Sequence, residues 1–504
     1  MSTRAIMIQG TGSNVGKSVI VAGLCRVAKR RGLSVAPFKA QNMSNNAAVC
    51  ADGGEIGRAQ ALQARACGIS PSVHHNPVLI KPESDCGARL IVRGQVAGQL
   101  QASAYRERRE HLLQAVLGSF AELATRHELI IVEGAGSPAE VNLRAGDIAN
   151  MGFATAAQVP VVMLADIDRG GVIASLVGTQ AVLAADDAAM IRAFLINRFR
   201  GDRALFDDGL TFIRERTGWA SLGVIPWLDC VARLPAEDAM DLQSPPAVPG
   251  LAAAPGLEPL RIAVPLTSRI ANVDDLDPLR AEPNVSVEWV APGRALPAQT
   301  DVVLLLGTKS TLADMRMLHE QGWAEQIRLH AQRGGWVTGI CGGLQMLGGR
   351  IVDEAGVDGD PGGIEGLGLL PFVTRMAKEK QVRQAQGQCL RSGAPVTGYE
   401  IHSGVRVGQR SGDPLLRLNG VLEGERSGDG RVEGTYLHGM FHGDEFRRAW
   451  LETRRAGAGS ALAFDASVEA ALDELADALE RHVDVRALFS LAQPVPEDVG
   501  QPVA

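Results

Sequence analysis

Continuous apolar runs recur along this sequence, and they constrain its fold more than any other feature does. They lie at 4–10, 33–39, 129–136, 160–166, 193–199, 260–266, 285–290, 301–307 and 335–341. Because polar residues do not alternate with the apolar ones, each run predicts a strand buried on both faces of a parallel sheet. Helical stretches separate the runs, so the chain belongs to the α/β class, with doubly wound sheets.

A segment rich in proline and glycine divides the runs into two series. It reads QSPPAVPGLAAAPGLEP and spans 243–259. Repeated proline cannot supply ladder hydrogen bonds, so this segment predicts a linker. We therefore expect one domain over 1–242, a second over 260–455 and a helical tail over 456–504, with Ser467 as the N-cap of a helix.

Charge and cysteine usage exclude several classes of function. A net charge of −7 gives no electrostatic reason to bind nucleic acid or an anionic membrane. No apolar stretch reaches the length of about 18 residues that a membrane span needs. The seven cysteines are dispersed, without a C-x-x-C pair. This usage argues against a disulfide scaffold or a zinc cluster and predicts a cytoplasmic protein.

The sequence GTGSNVGKS at 10–18 follows the first predicted strand and opens a helix. Glycines let successive N–H groups converge on anionic oxygens, so the segment predicts a phosphate-binding loop for ATP. Its candidate binding residues are Gly10, Thr11, Gly12, Asn14, Gly16, Lys17 and Ser18. Lys17 would reach the β- and γ-phosphates, and the Ser18 hydroxyl would bind Mg²⁺. The spacing departs from the strict pattern, and a glycine-rich turn with a surface lysine is the alternative.

A magnesium ion also requires carboxylates, usually at the end of a neighbouring buried strand. Glu133 follows Leu-Ile-Ile-Val in that place, and burying its charge is costly unless it meets a cation. Asp52, in CADGGEIG, is a second candidate ligand. A solvated strand-end carboxylate for Glu133 and an ordinary Asp-Gly-Gly turn for Asp52 are the alternatives.

In the second half, the stretch VTGICGGLQML places Cys341 among glycines between an apolar run and a predicted helix. Glycines permit a sharp bend that exposes a side chain at the carboxyl edge of a sheet, which predicts a nucleophile. The backbone N–H of Gly342 and one from the loop at Gly307 could form an oxyanion hole. A lone buried cysteine acting as a small hydrophobe is the alternative.

A nucleophilic cysteine needs a base, and two histidines are candidates. His438 lies in GTYLHGMF and His402 in GYEIHSG. Each could instead be a turn or packing residue. We choose His438 as the base because it lies farther downstream, and we take His402 as a pocket residue.

These motifs resemble known families. The GICGG elbow resembles that of class I glutamine amidotransferases, and GTGSNVGKS resembles the loop of carboxylate-activating enzymes related to dethiobiotin synthetase. The two in one chain resemble the cobyric acid synthase family. Its further motifs are PFKAQNMSNN (37–46), NPVLIKPESD (76–85), GAGSPAEVNL (134–143), DIANMGFA (147–154), DIDRGGVIASLVGT (166–179) and GYEIHSG.

The resemblance implies an N-terminal P-loop NTPase-like sheet that serves as an amide ligase, and a C-terminal flavodoxin-like glutaminase domain. It implies that ATP and glutamine support amidation of the b, d, e and g carboxylates of adenosylcobyrinic acid a,c-diamide, a corrinoid polycarboxylate. Cys341 would be the glutaminase nucleophile and His438 its base. Class I enzymes usually carry Glu two residues after that histidine, where this chain has Met440. A Cys–His pair is therefore expected, without an assigned third member.

Two other functions remain as alternatives at this point. A related amidotransferase acting on another polycarboxylate would keep both centres and change only the acceptor. A partition-type ATPase switch would share the deviant phosphate loop. That switch would leave Cys341 unexplained, and this chain lacks the extra early lysine of such loops, having Gly10-Thr11-Gly12 instead.

Overall fold

A computed structural model describes residues 2–82, 87–101, 108–235, 251–253, 255–359, 361–408 and 412–501. Most of the expected linker, and the end of the motif at 76–85, lie outside the described residues. The chain divides into two compact units. Unit 1 comprises Met1–Ser44, Cys50–Glu237 and Val468–Ala504, and unit 2 comprises Asn45–Val49 and Asp238–Ser467.

Strands and helices alternate through most of the chain, and we number them from the N-terminus. The strands are β1 (Arg4–Gly10), β2 (Val35–Phe38), β3 (Gln41–Met43), β4 (Ala47–Val49), β5 (Glu55–Gly57), β6 (Val78–Pro82), β7 (Gly87–Val92), β8 (Gln95–Gln101), β9 (Leu129–Glu133), β10 (Val161–Asp166), β11 (Ile191–Phe199), β12 (Ala220–Pro226), β13 (Leu260–Pro265), β14 (Ile270–Ala271), β15 (Val285–Val290), β16 (Val302–Leu305), β17 (Gly307–Thr308), β18 (Trp336–Ile340), β19 (Arg350–Asp353), β20 (Gly362–Glu365), β21 (Val373–Cys389), β22 (Pro395–Val407), β23 (Leu416–Leu418), β24 (Val421–Glu423), β25 (Glu425–Arg426), β26 (Val432–Thr435), β27 (Leu437–His438) and β28 (Gln493–Pro494). The helices are α1 (Lys17–Arg30), α2 (Arg58–Cys67), α3 (Arg109–Ala124), α4 (Met151–Ala156), α5 (Val172–Val182), α6 (Ala185–Met190), α7 (Asp207–Thr217), α8 (Asp277–Arg280), α9 (Thr311–Glu320), α10 (Trp323–Gln332), α11 (Gly342–Leu347), α12 (Asp444–Arg454), α13 (Phe464–His482) and α14 (Val485–Ser490).

The main sheet of unit 1 is parallel, as the apolar runs predict. Its strand order is β12-β11-β10-β1-β9-β2, and β28 adds an antiparallel edge pair to β1. Every residue of β9 is buried, which explains why its sequence is apolar without alternation. Parallel strands place the ends of β1 and β9 at the same edge, so the loop after Gly10 and the side chain of Glu133 meet there.

The first sheet of unit 2 has the order β15-β13-β16-β18-β26, followed by the antiparallel edge strand β25. The five parallel strands follow the 2-1-3-4-5 order of flavodoxin-like folds, which confirms the expected fold class. A second sheet, built on the long β21–β22 hairpin, has the order β20-β19-β21-β22-β27. The apolar runs did not predict this hairpin, because charged and polar residues alternate along β21.

Helix α13 starts at Phe464 rather than after Ser467, which corrects the expected N-cap. The buried Phe464 N–H donates to Asp444 Oδ1 at 3.1 Å, so a distant carboxylate caps the helix start. Among the described residues, no helix combines the length and apolar character needed to cross a membrane.

Within unit 1, the C-terminal end of α13 packs on α1. A Cβ atom added at Gly23 would lie 2.5 Å from Leu479 Cδ1 and 2.8 Å from Leu475 Cγ. The contact is flanked by ion pairs, including Arg30 with Asp477 at 2.6 Å. Such exposed pairs contribute little to stability, so the close approach at Gly23 matters more.

We expect Gly23→Ala to destabilise the protein by about 1–3 kcal/mol, because the new methyl group overpacks the α1–α13 contact. Gly178→Ala is the matched control, since Gly178 also lies inside a helix but its added Cβ meets nothing within 4 Å. That control should gain up to about 1 kcal/mol from helix propensity. Thermal unfolding followed by circular dichroism measures both changes. An equal rise of the midpoint in the two variants would contradict this packing.

Candidate active sites

The residues predicted to bind phosphate lie in one loop between β1 and α1. Asn14 and Gly16 adopt positive φ angles of 59° and 96°, which asparagine and glycine tolerate better than other residues. Lys17 opens α1 and turns back into the loop. Its Nζ donates to the carbonyl oxygen of Gly12 at 2.8 Å and to that of Gly136 at 3.1 Å.

Close packing fixes the strand side of the same loop. The Thr11 N–H donates to the carbonyl oxygen of Leu164 at 3.0 Å. A Cβ atom added at Gly10 would lie 2.6 Å from Val15 Cγ2 and 2.9 Å from Lys17 Nζ. A side chain at position 10, where β1 ends beside Lys17, would therefore collide with the loop.

The structure brings Ser18 and Glu133 together, as the magnesium prediction requires. The Ser18 hydroxyl donates to Glu133 Oε1 at 2.8 Å, and Glu133 is 1% exposed. The Lys39 ammonium donates to the same oxygen at 2.7 Å. Since an unpaired buried carboxylate would be costly, Lys39 supplies the cation that the burial of Glu133 demands.

Sequence reasoning missed the partners of Glu133. Gln60 and Gln63 donate to Glu133 Oε2 at 3.2 Å and 2.5 Å. They lie on α2, and no spacing in the sequence points to this role. Lys39 carried a signal, because it directly follows β2 at the carboxyl edge, just as Glu133 ends β9.

The donor set at this edge fits Mg²⁺, which prefers hard oxygen ligands and keeps several waters. Ser18 supplies a hydroxyl oxygen and Glu133 a carboxylate. Within the part of the chain that the structure describes, no group of three or more His, Cys, Asp or Glu side chains forms a denser metal cluster. Mg²⁺ needs only one or two protein ligands when phosphates and waters complete its coordination.

Asp52 has other partners. Its Oδ2 accepts hydrogen bonds from the Ser72 hydroxyl at 3.0 Å and from the Val73 N–H at 3.2 Å. These bonds tie Asp52 to Ser72, the N-cap of the short 3₁₀ turn that begins at Val73. These contacts favour the alternative that the Asp-Gly-Gly sequence suggested, in which Asp52 is a turn residue.

In unit 2, Cys341 forms a strained bend between β18 and α11. Its φ is 53° and its ψ is −109°, a region costly for a residue with a side chain. The neighbouring glycines allow it, since a Cβ at Gly343 would collide with the Leu305 carbonyl oxygen, and one at Gly339 would lie 2.5 Å from the Gly343 carbonyl carbon. The bend has the strand-to-helix geometry that a nucleophile elbow requires.

His438 lies beside a buried aspartate and within electrostatic range of Cys341. Its Nδ1 lies 2.7 Å from Asp275 Oδ2. The second oxygen, Asp275 Oδ1, accepts the Gly439 N–H at 2.6 Å. Both oxygens of this carboxylate therefore hold the histidine, one through its ring and one through the next residue's backbone.

The charges around His438 favour its protonated form. Burial lowers the pKa of the His438 imidazole, but the carboxylate of Asp275 and the thiolate form of Cys341 outweigh burial and raise it to about 10. The ring is therefore an imidazolium at neutral pH, able to stabilise a sulfur anion and later to give up a proton.

Asp275 lies where a third member of the predicted Cys–His pair would lie, beside the His438 ring. It belongs to the 3₁₀ turn Val273–Leu276 and lies 163 residues before His438 in the sequence. The signal in the sequence was weak, because the segment ANVDDLDPL carries three aspartates, Asp274, Asp275 and Asp277. Sequence alone does not distinguish which of the three faces the histidine.

The predicted oxyanion residues are also brought together. A Cβ atom at Gly342 would lie 3.1 Å from the Thr308 backbone nitrogen, and one at Gly307 would lie 2.9 Å from His438 Cε1. Asp314 on α9 fixes this loop, because its Oδ2 accepts the Thr308 hydroxyl at 2.5 Å. Asp314 is fully buried and was not predicted.

His402 lies on β22, within electrostatic range of His438. It stacks on Tyr436 with ring centroids 3.8 Å apart, and its Nδ1 lies 2.8 Å from the Gly404 carbonyl oxygen. Burial lowers the pKa of the His402 imidazole, whereas the pKa of His438 is raised.

Two family models match the chain, one on each half. A CobQ/CobB/MinD/ParA nucleotide-binding domain matches residues 6–241. A CobB/CobQ-like glutamine amidotransferase domain matches residues 261–446. The order of the two domains is the one that the motifs predict.

Curated relatives match nearly the whole chain. A cobyric acid synthase of Hyphomonas neptunium is 61% identical over 98% of this chain and 98% of its own length. Those of Paracoccus denitrificans and Brucella anthropi are 59% and 57% identical, each over 97% of this chain. They are covered over 100% and 99% of their own lengths.

The fold and its two centres define a glutamine amidotransferase joined to a nucleotide-binding domain. At this identity and coverage, the chain belongs to the cobyric acid synthase family.

We expect Asp275→Asn to lower kcat for glutamine hydrolysis by about 10²–10⁴-fold, as loss of the orienting carboxylate does in other triads. Asp274→Asn is the control, because it changes the adjacent acid of the same turn. Ammonia release from glutamine measures both variants. Equal activities in the two variants would contradict the role of Asp275.

We expect the His438 ring to stay protonated through neutral pH and to titrate near pH 10. In Asp275→Asn it should lose its proton at a lower pH, since the carboxylate that stabilises the cation is gone. NMR of protein labelled with ¹⁵N-histidine follows the ring nitrogens. A wild-type His438 that titrates near the ordinary value of about 6.5 would show that the carboxylate does not hold the ring.

Proposed function

We propose that this chain uses ATP and glutamine to amidate the b, d, e and g carboxylates of adenosylcobyrinic acid a,c-diamide, giving adenosylcobyric acid. The observation that carries the proposal is the presence in one chain of a Cys–His–Asp triad and of a phosphate loop facing Glu133. The identity of 57–61% to cobyric acid synthases selects the corrinoid acceptor over another polycarboxylate. A partition-type switch has no use for the triad.

In the glutaminase centre, the Cys341 sulfur attacks the side-chain carboxamide carbon of glutamine. The developing oxyanion is placed to accept hydrogen bonds from backbone N–H groups of Gly342 and of the Gly307–Thr308 strand. The His438 imidazolium gives its proton to the departing nitrogen, which leaves as ammonia. Water then hydrolyses the thioester to glutamate and regenerates the thiol.

In the nucleotide centre, a carboxylate must first be made electrophilic. Transfer of the γ-phosphoryl group of ATP to a carboxylate oxygen of the acceptor gives an acyl phosphate and ADP. Lys17 and the loop N–H groups hold the phosphates, while Ser18 and Glu133 would hold Mg²⁺. When bound, the ion neutralises charge on the phosphate oxygens. Ammonia then displaces phosphate and forms the amide.

We assign the ligase role to the domain expected at 1–242 and the glutaminase role to that expected at 260–455. The tail expected at 456–504 contributes Val468–Ala504 to unit 1, so its role is to complete the nucleotide-binding domain. The six described cysteines are free, which supports action in the reducing cytoplasm.

Incubation of the full chain with ATP, glutamine and the a,c-diamide, followed by mass spectrometry, tests the proposal. We expect four amides to be added. Cys341→Ala should lose glutamine-dependent amidation and keep amidation with added ammonium salt, whereas Lys17→Ala should lose both. Cys389→Ala, which changes another buried free cysteine of unit 2, should keep both.

Either of two results would overturn this assignment. One is an unmodified a,c-diamide with both nitrogen sources, which would mean another acceptor. The other is wild-type glutamine use by Cys341→Ala, which would remove the nucleophile.

A further inference from the structure

A short segment of the N-terminal half of the sequence belongs to unit 2. Residues Asn45–Val49 are grouped with unit 2, although the sequence on either side of them belongs to unit 1. The segment also lies far outside residues 261–446, which the amidotransferase domain model matches. Its contacts within unit 2 therefore need an explanation.

The segment binds the turn that carries Asp275. Asn46 Oδ1 accepts the Asn272 N–H at 2.8 Å and the Val273 N–H at 3.4 Å. In return, the Ala47 N–H donates to Asn272 Oδ1 at 3.4 Å. Asn46 is 4% exposed and Asn272 is 1% exposed, so these bonds form away from water, where losing them is costly.

The turn has a particular need for these bonds. Asn272 adopts a left-handed φ of 57° and precedes the 3₁₀ turn Val273–Leu276, but its own side chain does not cap that turn. The first N–H groups of a helical turn have no partner inside it. Asn46 supplies the acceptor from a distant part of the sequence.

The same segment packs against neighbours of the other two members of the triad. Ala47 and Val49 form a buried cluster with Tyr399 and Ile401. Tyr399 stacks on the His438 ring at a centroid distance of 5.2 Å. The Ile401 carbonyl oxygen accepts a hydrogen bond from Cys341 Sγ at 3.5 Å. All three members therefore have a neighbour that contacts this segment.

We propose that Asn46 is a positioning residue of the glutaminase, which holds the Asn272–Val273 backbone so that Asp275 meets His438. The nucleotide-binding half of the sequence thus supplies a residue that the glutaminase centre requires. Asn46 acts through Asp275 and does not touch glutamine. The kinetic test of this inference rests on the proposed function, because it measures glutamine hydrolysis. The NMR titration of His438 does not require that function.

Kinetics of the full-length chain test the proposal. We expect Asn46→Ala to lower kcat for glutamine hydrolysis about ten-fold or more, since small displacements of catalytic groups have effects of this size. The KM for glutamine and ammonium-dependent amidation should stay unchanged. Asn46→Asp, which keeps an acceptor oxygen for the two N–H groups, should recover part of the loss.

Asn45→Ala is the matched control. Asn45 is the preceding residue of the same segment, and its Oδ1 makes no hydrogen bond to the described residues. This variant should keep wild-type kcat. A wild-type kcat in Asn46→Ala, or an equal loss of ammonium-dependent amidation, would overturn the positioning role.

The titration of His438 separates this inference from the function itself. In Asn46→Ala, the ¹⁵N-histidine signal of His438 should titrate at a lower pH, because Asp275 no longer faces the ring squarely. If the wild-type chain fails to use glutamine, the proposed function fails, but this shift still decides the role of Asn46. An unchanged His438 titration in Asn46→Ala contradicts the inference whatever the reaction is.

Discussion

The proposed glutaminase centre depends on holding Cys341 at a positive φ of 53°. That conformation is possible because glycines at 339 and 343 let neighbouring backbone approach closely. The strain is localised where a reactive side chain must project from the edge of a sheet. The oxyanion loop and the Asp275 turn are both arranged around this bend.

Two carboxylates, Glu133 and Asp275, are both buried away from solvent, but their surroundings suit them to different chemistry. Glu133 accepts hydrogen bonds from Ser18, Lys39 and two glutamines, so its charge is matched by a fixed cation. Asp275 faces an imidazole instead and raises its pKa. One site is suited to a metal and phosphates, and the other to a proton that moves during the reaction.

Sequence reasoning predicted those parts of the fold and sites that are local in the chain. The apolar runs predicted the parallel strands. Glycines next to Lys17 indicated the loop at 10–18, and glycines next to Cys341 indicated the bend. Asp275, Gln63 and Asn46 were missed because their roles depend on contacts across long separations: 163 residues for Asp275 with His438, 70 for Gln63 with Glu133, and 226 for Asn46 with Asn272. Lys39 could have been predicted, since it directly follows the buried strand β2, but nothing in the sequence paired it with Glu133.

The central claim is that nitrogen released at Cys341 becomes the amide made with ATP. The most direct measurement supplies glutamine labelled with ¹⁵N in its side-chain amide, together with unlabelled ammonium in the buffer, and weighs the corrinoid product. The account predicts that the new amides carry the heavy isotope. Amides that carry only the light isotope, formed while glutamine is hydrolysed, would show that the two centres work independently and would contradict it.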